Sequence, residues 1–493
     1  MQPTVDALQL TIHRAVQRLR ERSDDAESQW LIDVIEACNG ELKLQADAPF
    51  WRSMTARAKN LEARGLALAK VPAGPHGIDR TSPAGEGACD APAGRMAYTQ
   101  AIGNLGRLVH DLRAVRDATS DAWRRDVCEL ERELHARRLL SAFPPEDGAR
   151  SVEDMRVRFQ AYMRGRSEGD PTLEICAFSL RPGGFSKQTI LASARNGDGM
   201  TEDFVLRIEP PEKLMELESH VLRFEYPSVR YAFEQGLPVA EPLWLENDCS
   251  ILGGPFMVSR RLGGEIIGSV VKAGRLLDGP LLGNVAATLA AVHRVQVDPS
   301  HPLIAQSHLA HWARCATIGE ASRKWIDYWS GQIERDGIEP SPLLTLGLQW
   351  LQDNVPHDDA APRLLHGDFG LHNLMIENDR VVGILDWEMV RVGDPAEELA
   401  AFFAGTGDAL DRDAFLAAYR DAGGPVISPF RLAYFNVFNV VFGITGGLSM
   451  LSRASLPRSN VKAILFGLRY IQHYVDNFES ALEAAESLRA EAC

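Results

Sequence analysis

Residues 366–388 read HGDFGLHNLMIENDRVVGILDWE and gather two histidines, three aspartates, two asparagines and two glutamates around short apolar runs. The segment RLL leads into His366, NLMIE predicts a strand beginning at Asn373, and VVGILD predicts a second strand ending at Asp386. Asn378 and Asp379 between them suit a tight hairpin turn, because both residue types tolerate positive φ. Asn373 and Asp386 then lie at the same end of the hairpin, and Asp368 lies on the loop entering that end. An amide oxygen beside a carboxylate, with a second carboxylate nearby, is the hard oxygen set that magnesium accepts together with waters and substrate phosphates. The spare carboxylate, Asp368, can orient a hydroxyl nucleophile or take its proton. Positioning, with cations set against developing charge, is what phosphoryl transfer asks of a protein.

Two competing readings explain less. His366, Asp368 and His372 offer three zinc ligands within seven residues, but no HExxH element accompanies them, and zinc leaves Asn373 and Asp386 without a role. Turn formation and capping account for any one of the Asp and Asn residues, though not for their meeting at one hairpin end.

The rest of the chain sets the context. At 493 residues it is too long for a single core. A net charge of -15 argues against a nucleic-acid surface, which needs concentrated Lys and Arg. The seven cysteines form no CxxC pair, so neither a zinc knuckle nor a disulfide framework is indicated, and reduced thiols in a cytoplasmic protein are expected. The N-terminus lacks the basic-then-apolar order of a signal peptide. No membrane partner is expected either: the nearest apolar run, LAYFNVFNVVFGITGGLSML at 432–451, holds two asparagines and a glycine pair and reads as a buried helix pair.

Apolar spacing predicts helix over 5–44 and again from about 96 to 140, with a Pro- and Gly-rich flexible loop at 70–95. Residues 1–150 thus form a helical accessory domain. Beyond it, LEICAFSL (173–180), QTILASAR (188–195) and DFVLRIE (203–209) predict strands, with RPGGFS between the first two. A helix over 212–235 and two further strands, around PLWLE and GPFMVSRR, complete a small antiparallel sheet with one helix. From about 275 the pattern is helical to Ala490, apart from the hairpin.

HGDFGLHN followed by ILDWE resembles the catalytic and metal-binding motifs of the aminoglycoside phosphotransferase family (which includes choline-kinase-like members), a branch of the protein-kinase-like fold whose pattern is HGDxxxxN, then DWE or DFE. VGDPAEELA at 392–400 resembles the GDPxxDLA segment that follows, with Glu398 where aspartate is usual. The resemblance implies an α+β, two-lobed fold, with a small β lobe at 172–262, a larger helical lobe at 263–489, and the N-terminal helical domain added to it. It implies Asp368 as the catalytic aspartate, His366 as support for its loop, and Asn373 and Asp386 as magnesium ligands. Gly183, Gly184 and Ser186 would form the phosphate turn. Arg207 would stand where a lysine is usual, and its VLR context resembles the subgroup related to the kinase domain of acyl-CoA dehydrogenase-linked proteins. Glu225 would be its helix partner, with Glu218 as the alternative, and backbone groups from Val258 to Arg260 would meet adenine. His293 reads as a core or capping histidine. Glu388, two positions after Asp386, either orients a ligand or pairs with a basic residue.

The implied activity is transfer of the γ-phosphate of ATP, with GTP as an alternative, to a hydroxyl of a small molecule in the presence of magnesium. Phe430, Tyr434, Phe435, Phe438 and Phe442 suggest a moderately apolar or acyl-type acceptor. Aminoglycoside-type antibiotics, choline- or homoserine-like acceptors and a catalytically silent nucleotide-binding scaffold are the alternatives. No activation-loop pattern follows DWE, which speaks against a protein kinase. No oligomeric state is legible.

Overall fold

The computed structural model describes residues 48–68, 101–109, 118–137, 152–166, 170–181, 186–210, 217–268, 276–338, 341–356, 359–452 and 461–492. The helix expected over 5–44, the loop at 70–95 and the glycines of the phosphate turn lie outside them. The chain divides into two compact units. One comprises Met1–Pro145, Ile326–Asn354 and Val440–Ser487; the other comprises Glu146–Trp325, Val355–Asn439 and Leu488–Cys493.

In the second unit, a five-stranded antiparallel sheet has the order β1-β2-β3-β5-β4. Its strands are β1 (Glu174–Arg181), β2 (Gln188–Arg195), β3 (Thr201–Ile208), β4 (Pro242–Glu246) and β5 (Phe256–Arg260). Alternation sorts its two faces. Ile190, Ala192, Phe204, Leu206 and Ile208 point into one core, where they meet Met155, Phe159 and Met163. These last three recur every four residues along the helix Val152–Arg166, which the sequence reading did not anticipate. Each such side chain taken from water contributes about 1.5–3 kcal/mol. The opposite parity, which includes Thr189 and Arg207, is left for the other face.

The larger lobe carries helices such as Gly279–Arg294, Pro395–Thr406 and Arg412–Asp421, plus two small sheets. One sheet pairs β7 (Arg363–Leu365) with β10 (Arg391–Gly393); the other has the order β6-β8-β9, from Glu265–Ile266, Leu374–Glu377 and Arg380–Ile384. The expected hairpin is β8 and β9, and its turn residues Asn378 and Asp379 have φ of 51° and 57°, as a two-residue primed turn requires. A small antiparallel lobe and a larger helical lobe are thus present as the sequence suggested.

The helix pair expected within 432–451 is instead one helix, Pro429–Ser452. It is long and apolar enough to cross a membrane by length and composition alone, and most of it is buried in the protein. Its glycines serve close packing and do not break it. A Cβ on Gly447 would fall 2.5 Å from Ile471 Cγ1 and 2.8 Å from the Gly467 carbonyl oxygen. Tyr434, Phe435 and Phe438 are at most 1% exposed and Phe442 is buried beside Trp329. From Tyr434 to Phe442 the aromatic run is therefore core, and of the five residues that suggested an acyl-type acceptor only Phe430 is less than buried.

In the first unit, Met54, Ala58, Leu61, Leu105 and Val127 pack around the fully buried Trp123, whose indole N–H donates to the Leu61 carbonyl at 2.8 Å.

Candidate active site

Strand β7 delivers the chain to His366, whose side chain is buried with its ring edge-on to Trp387 at 4.8 Å. Its two hydrogen bonds fix the tautomer. Nδ1 accepts the Asp368 backbone N–H at 3.3 Å, and Nε2 lies 2.9 Å from the Leu385 carbonyl, to which only an N–H can donate. Burial pushes the His366 imidazole below its ordinary value and keeps it neutral. It braces the loop.

The next residue, Gly367, has φ of +86°, and a Cβ there would fall 2.0 Å from the Met389 carbonyl oxygen. Only glycine fits. The backbone N–H groups of His366 and Gly367 both donate to the buried Glu398 carboxylate. Glu398 also meets His293 Nε2 at 2.9 Å, and His293 Nδ1 lies 2.7 Å from the Tyr419 hydroxyl. Burial opposes ionisation of Glu398, but His293 and the loop amide hold its carboxyl below the usual range. His293 is a satisfied core histidine, and Glu398 anchors the loop from the helix Pro395–Thr406.

Asp368 projects from that loop with its side chain 48% exposed. Asn373 Nδ2 donates to its Oδ2 at 2.9 Å and to its carbonyl at 3.0 Å, which leaves the amide oxygen of Asn373 as the end available to a ligand. His372 Nε2 is 3.3 Å from the same carboxylate; burial works against protonation of His372, but the Asp368 contact prevails and raises its pKa. Across the hairpin, Leu385 N–H donates to the Asn373 carbonyl at 2.8 Å, setting Asp386 beside Asn373. Asp386 follows the strand in the left-handed region, with φ of 61°, a conformation that side chains of its length tolerate better than most.

The small lobe faces this group with charge. Arg207 of β3 donates to Asp386 Oδ1 at 2.8 Å and stands 3.6 Å from Glu225. Glu225, fully buried in the helix Leu222–Glu234, is held more closely by Lys187, at 2.8 Å. Lys187 also pairs with Glu388, and Ser186 Oγ donates to the same Glu388 oxygen at 2.6 Å. Burial alone would raise the Glu388 carboxyl, yet His220, Lys187 and Arg207 hold it well below the usual carboxylate range. Burial likewise opposes a charged Lys187, and Glu225 and Glu388 overcome it and raise its pKa.

The remaining candidates can now be placed. Ser186 contacts Glu388, while Gly183 and Gly184 lie outside the described residues. Glu225 and not Glu218 faces the cations, since Glu218 pairs with His311 at 2.9 Å. Val258 lies opposite both Leu206 and Trp244 within the sheet, and the Arg260 N–H donates to the Glu241 carbonyl at 3.0 Å. The Arg260 N–H is thus engaged within the small lobe, and the adenine contact from Val258 to Arg260 stays a proposal. Lys187 was missed: its place beside Arg207 follows from the register that sets Thr189 opposite Arg207, which the sequence does not print.

Among known proteins, mouse acyl-CoA dehydrogenase family member 11 is 30% identical over 207 residues, covering 41% of this chain and 25% of that protein. The chain thus spans about a quarter of the length of that relative. Viomycin phosphotransferase from Streptomyces vinaceus is 42% identical over 62 residues, which cover 12% of this chain and 21% of that one. The structure of a macrolide 2'-phosphotransferase from Brachybacterium faecium aligns over 62% of this chain and 96% of its own, at 19% identity and a TM-score of 0.44. The phosphotransferase enzyme family matches residues 178–433, a span that reaches from the small lobe into the large one and includes every charged group described above. Since that span is more than half of the 493 residues, the chain belongs to the phosphotransferase enzyme family.

Proposed function

We propose that the protein transfers the γ-phosphate of ATP or GTP to a hydroxyl of a small molecule, with Asp368 facing the acceptor. The observation that carries this reading is the convergence of Asp368, Asn373 and Asp386 at one end of the β8–β9 hairpin, opposite Arg207 and Lys187. Asp368 is the exposed member and so the one free to meet an incoming hydroxyl; its carboxylate orients the nucleophile and takes up its proton. His366, neutral and buried, keeps the loop in place and performs no proton transfer.

The residues also fit a magnesium ion. Asn373 and Asp386 offer oxygen donors only, and the Arg207 guanidinium beside Asp386 marks that carboxylate as a place for positive charge. When bound, the ion would supply charge stabilisation at the nucleotide phosphates. The acceptor belongs to the class of hydroxylated small molecules, a reading supported by the similarity to viomycin phosphotransferase.

The test incubates the chain with Mg-ATP or Mg-GTP and a broad panel of hydroxylated compounds, reading nucleoside diphosphate release and acceptor mass beside an Asp368→Ala control. A phosphoryl mass gain that disappears in the control is expected. Absence of nucleotide binding in the unaltered protein would overturn the reading.

A further inference from the structure

The charged cluster holds two cations, and the geometry gives them different work. Lys187 Nζ is 2.8 Å from Glu225 Oε2 and also meets Glu388, with 1% of its side chain exposed. Arg207 keeps 3.6 Å from Glu225 and turns instead to Asp386, with 16% exposed. Thr189 lies directly across the β2–β3 ladder from Arg207, and Lys187 precedes Thr189 by two positions. Both cations therefore belong to the face opposite the helix Val152–Arg166. A compact ammonium suits the gap between two carboxylates, whereas a guanidinium fork can release one partner and keep another. Arg207 also retains a buried Nε–H with no acceptor among the described residues.

Charge counting sharpens the contrast. Glu225, Asp386 and Glu388 set three carboxylates against these two cations. Without Lys187, Arg207 alone would face Glu225, Glu388 at 4.0 Å and Asp386 together. It would be drawn back into the small lobe and away from any phosphate.

We propose that Lys187 is a positioning residue of the nucleotide site: by neutralising Glu225 and Glu388, it leaves Arg207 able to exchange Asp386 for phosphate oxygens when a divalent cation takes that carboxylate. This rests on the phosphotransferase reading above. Lys187 acts through its two carboxylates and through Arg207, and it is not itself assigned a phosphate contact.

The experiment measures ADP binding by calorimetry, with and without magnesium, for the unaltered chain, Lys187→Met, Lys187→Arg and the double variant Lys187→Met/Glu225→Gln, with thermal melts to check folding. Lys187→Met is expected to weaken Mg-ADP binding by about ten-fold or more, because it leaves buried carboxylates competing for Arg207. Lys187→Arg should recover most of the loss. The double variant, which removes the competing acid along with the lysine and is the safer one to fold, should bind more tightly than Lys187→Met. A Lys187→Met protein that binds like the unaltered chain, or a double variant no better than Lys187→Met, overturns this assignment while leaving the phosphotransferase reading intact. An unaltered chain that binds no Mg-ADP overturns both.

Discussion

Glu398 accepts the backbone N–H of His366 at 3.1 Å, and the two residues stand 32 positions apart. That bond, with a second to the Gly367 amide and a third to His293, fastens the loop carrying Asp368 to the helix Pro395–Thr406. Replacing Glu398 by alanine strands the buried amide of His366 and the part-buried amide of Gly367, and takes from the buried His293 imidazole one of its two partners. The expected loss of stability is about 3 kcal/mol, read as a lowered urea midpoint. An unchanged midpoint would mean that the loop is held by other contacts.

Asp368 is expected to serve chemistry more than folding, since its carboxylate is half-exposed. Asp368→Asn should leave Mg-nucleotide affinity near that of the unaltered chain and lower turnover by about 10²–10⁴-fold. Calorimetry and a product assay on one protein preparation separate the two quantities. A large loss of nucleotide affinity would reassign Asp368 to binding.

Asp386 is expected to make nucleotide binding depend on metal. In the unaltered chain magnesium should tighten ADP binding, and in Asp386→Ala the affinities with and without magnesium should coincide. Equal metal dependence in both proteins would remove Asp386 from the metal site.

A stability change with pH is expected from the buried His308, whose ring meets the Val390 carbonyl. Burial depresses its pKa to about 4, against the weaker pull of its bond to the Val390 carbonyl. The folded protein therefore keeps His308 neutral where the unfolded chain, titrating near 6.5, takes up a proton. Between those two values the unfolded state binds more protons, so stability falls as pH falls, by up to about 1.4 kcal/mol per pH unit for this one group. Urea midpoints measured across that window should show a shallower pH slope for His308→Gln than for the unaltered chain. Parallel slopes would assign the acid sensitivity to other groups.

Much of the site could be read from the sequence because it is local. The Asn378–Asp379 turn and the apolar runs beside it specify the hairpin, and the hairpin puts Asn373 next to Asp386 within a stretch of 14 residues. Other features depend on partners remote in the chain. Whether Glu225 meets Arg207 or Lys187 is settled by the register of β2 against β3, which no single window encodes. The aromatic run from Tyr434 to Phe442 looks the same in sequence as a pocket wall or as a core, and only packing tells them apart. The helix Val152–Arg166 escaped notice because its stripe of Met155, Phe159 and Met163 is sparse and gains meaning only against the sheet.

The pairs that join the two lobes also carry a consequence for assembly. Arg207–Asp386, Lys187–Glu388 and Ser186–Glu388 span 179, 201 and 202 residues of chain. No partial chain ending before the hairpin can form any of them, and closing loops of this length is slow and entropically uphill before the contacts form. Lys187 and Glu225 both lie within a stretch that a growing chain completes long before Glu388 is made. The charged cluster therefore depends, for every contact that joins the lobes, on chain made after the small lobe is complete.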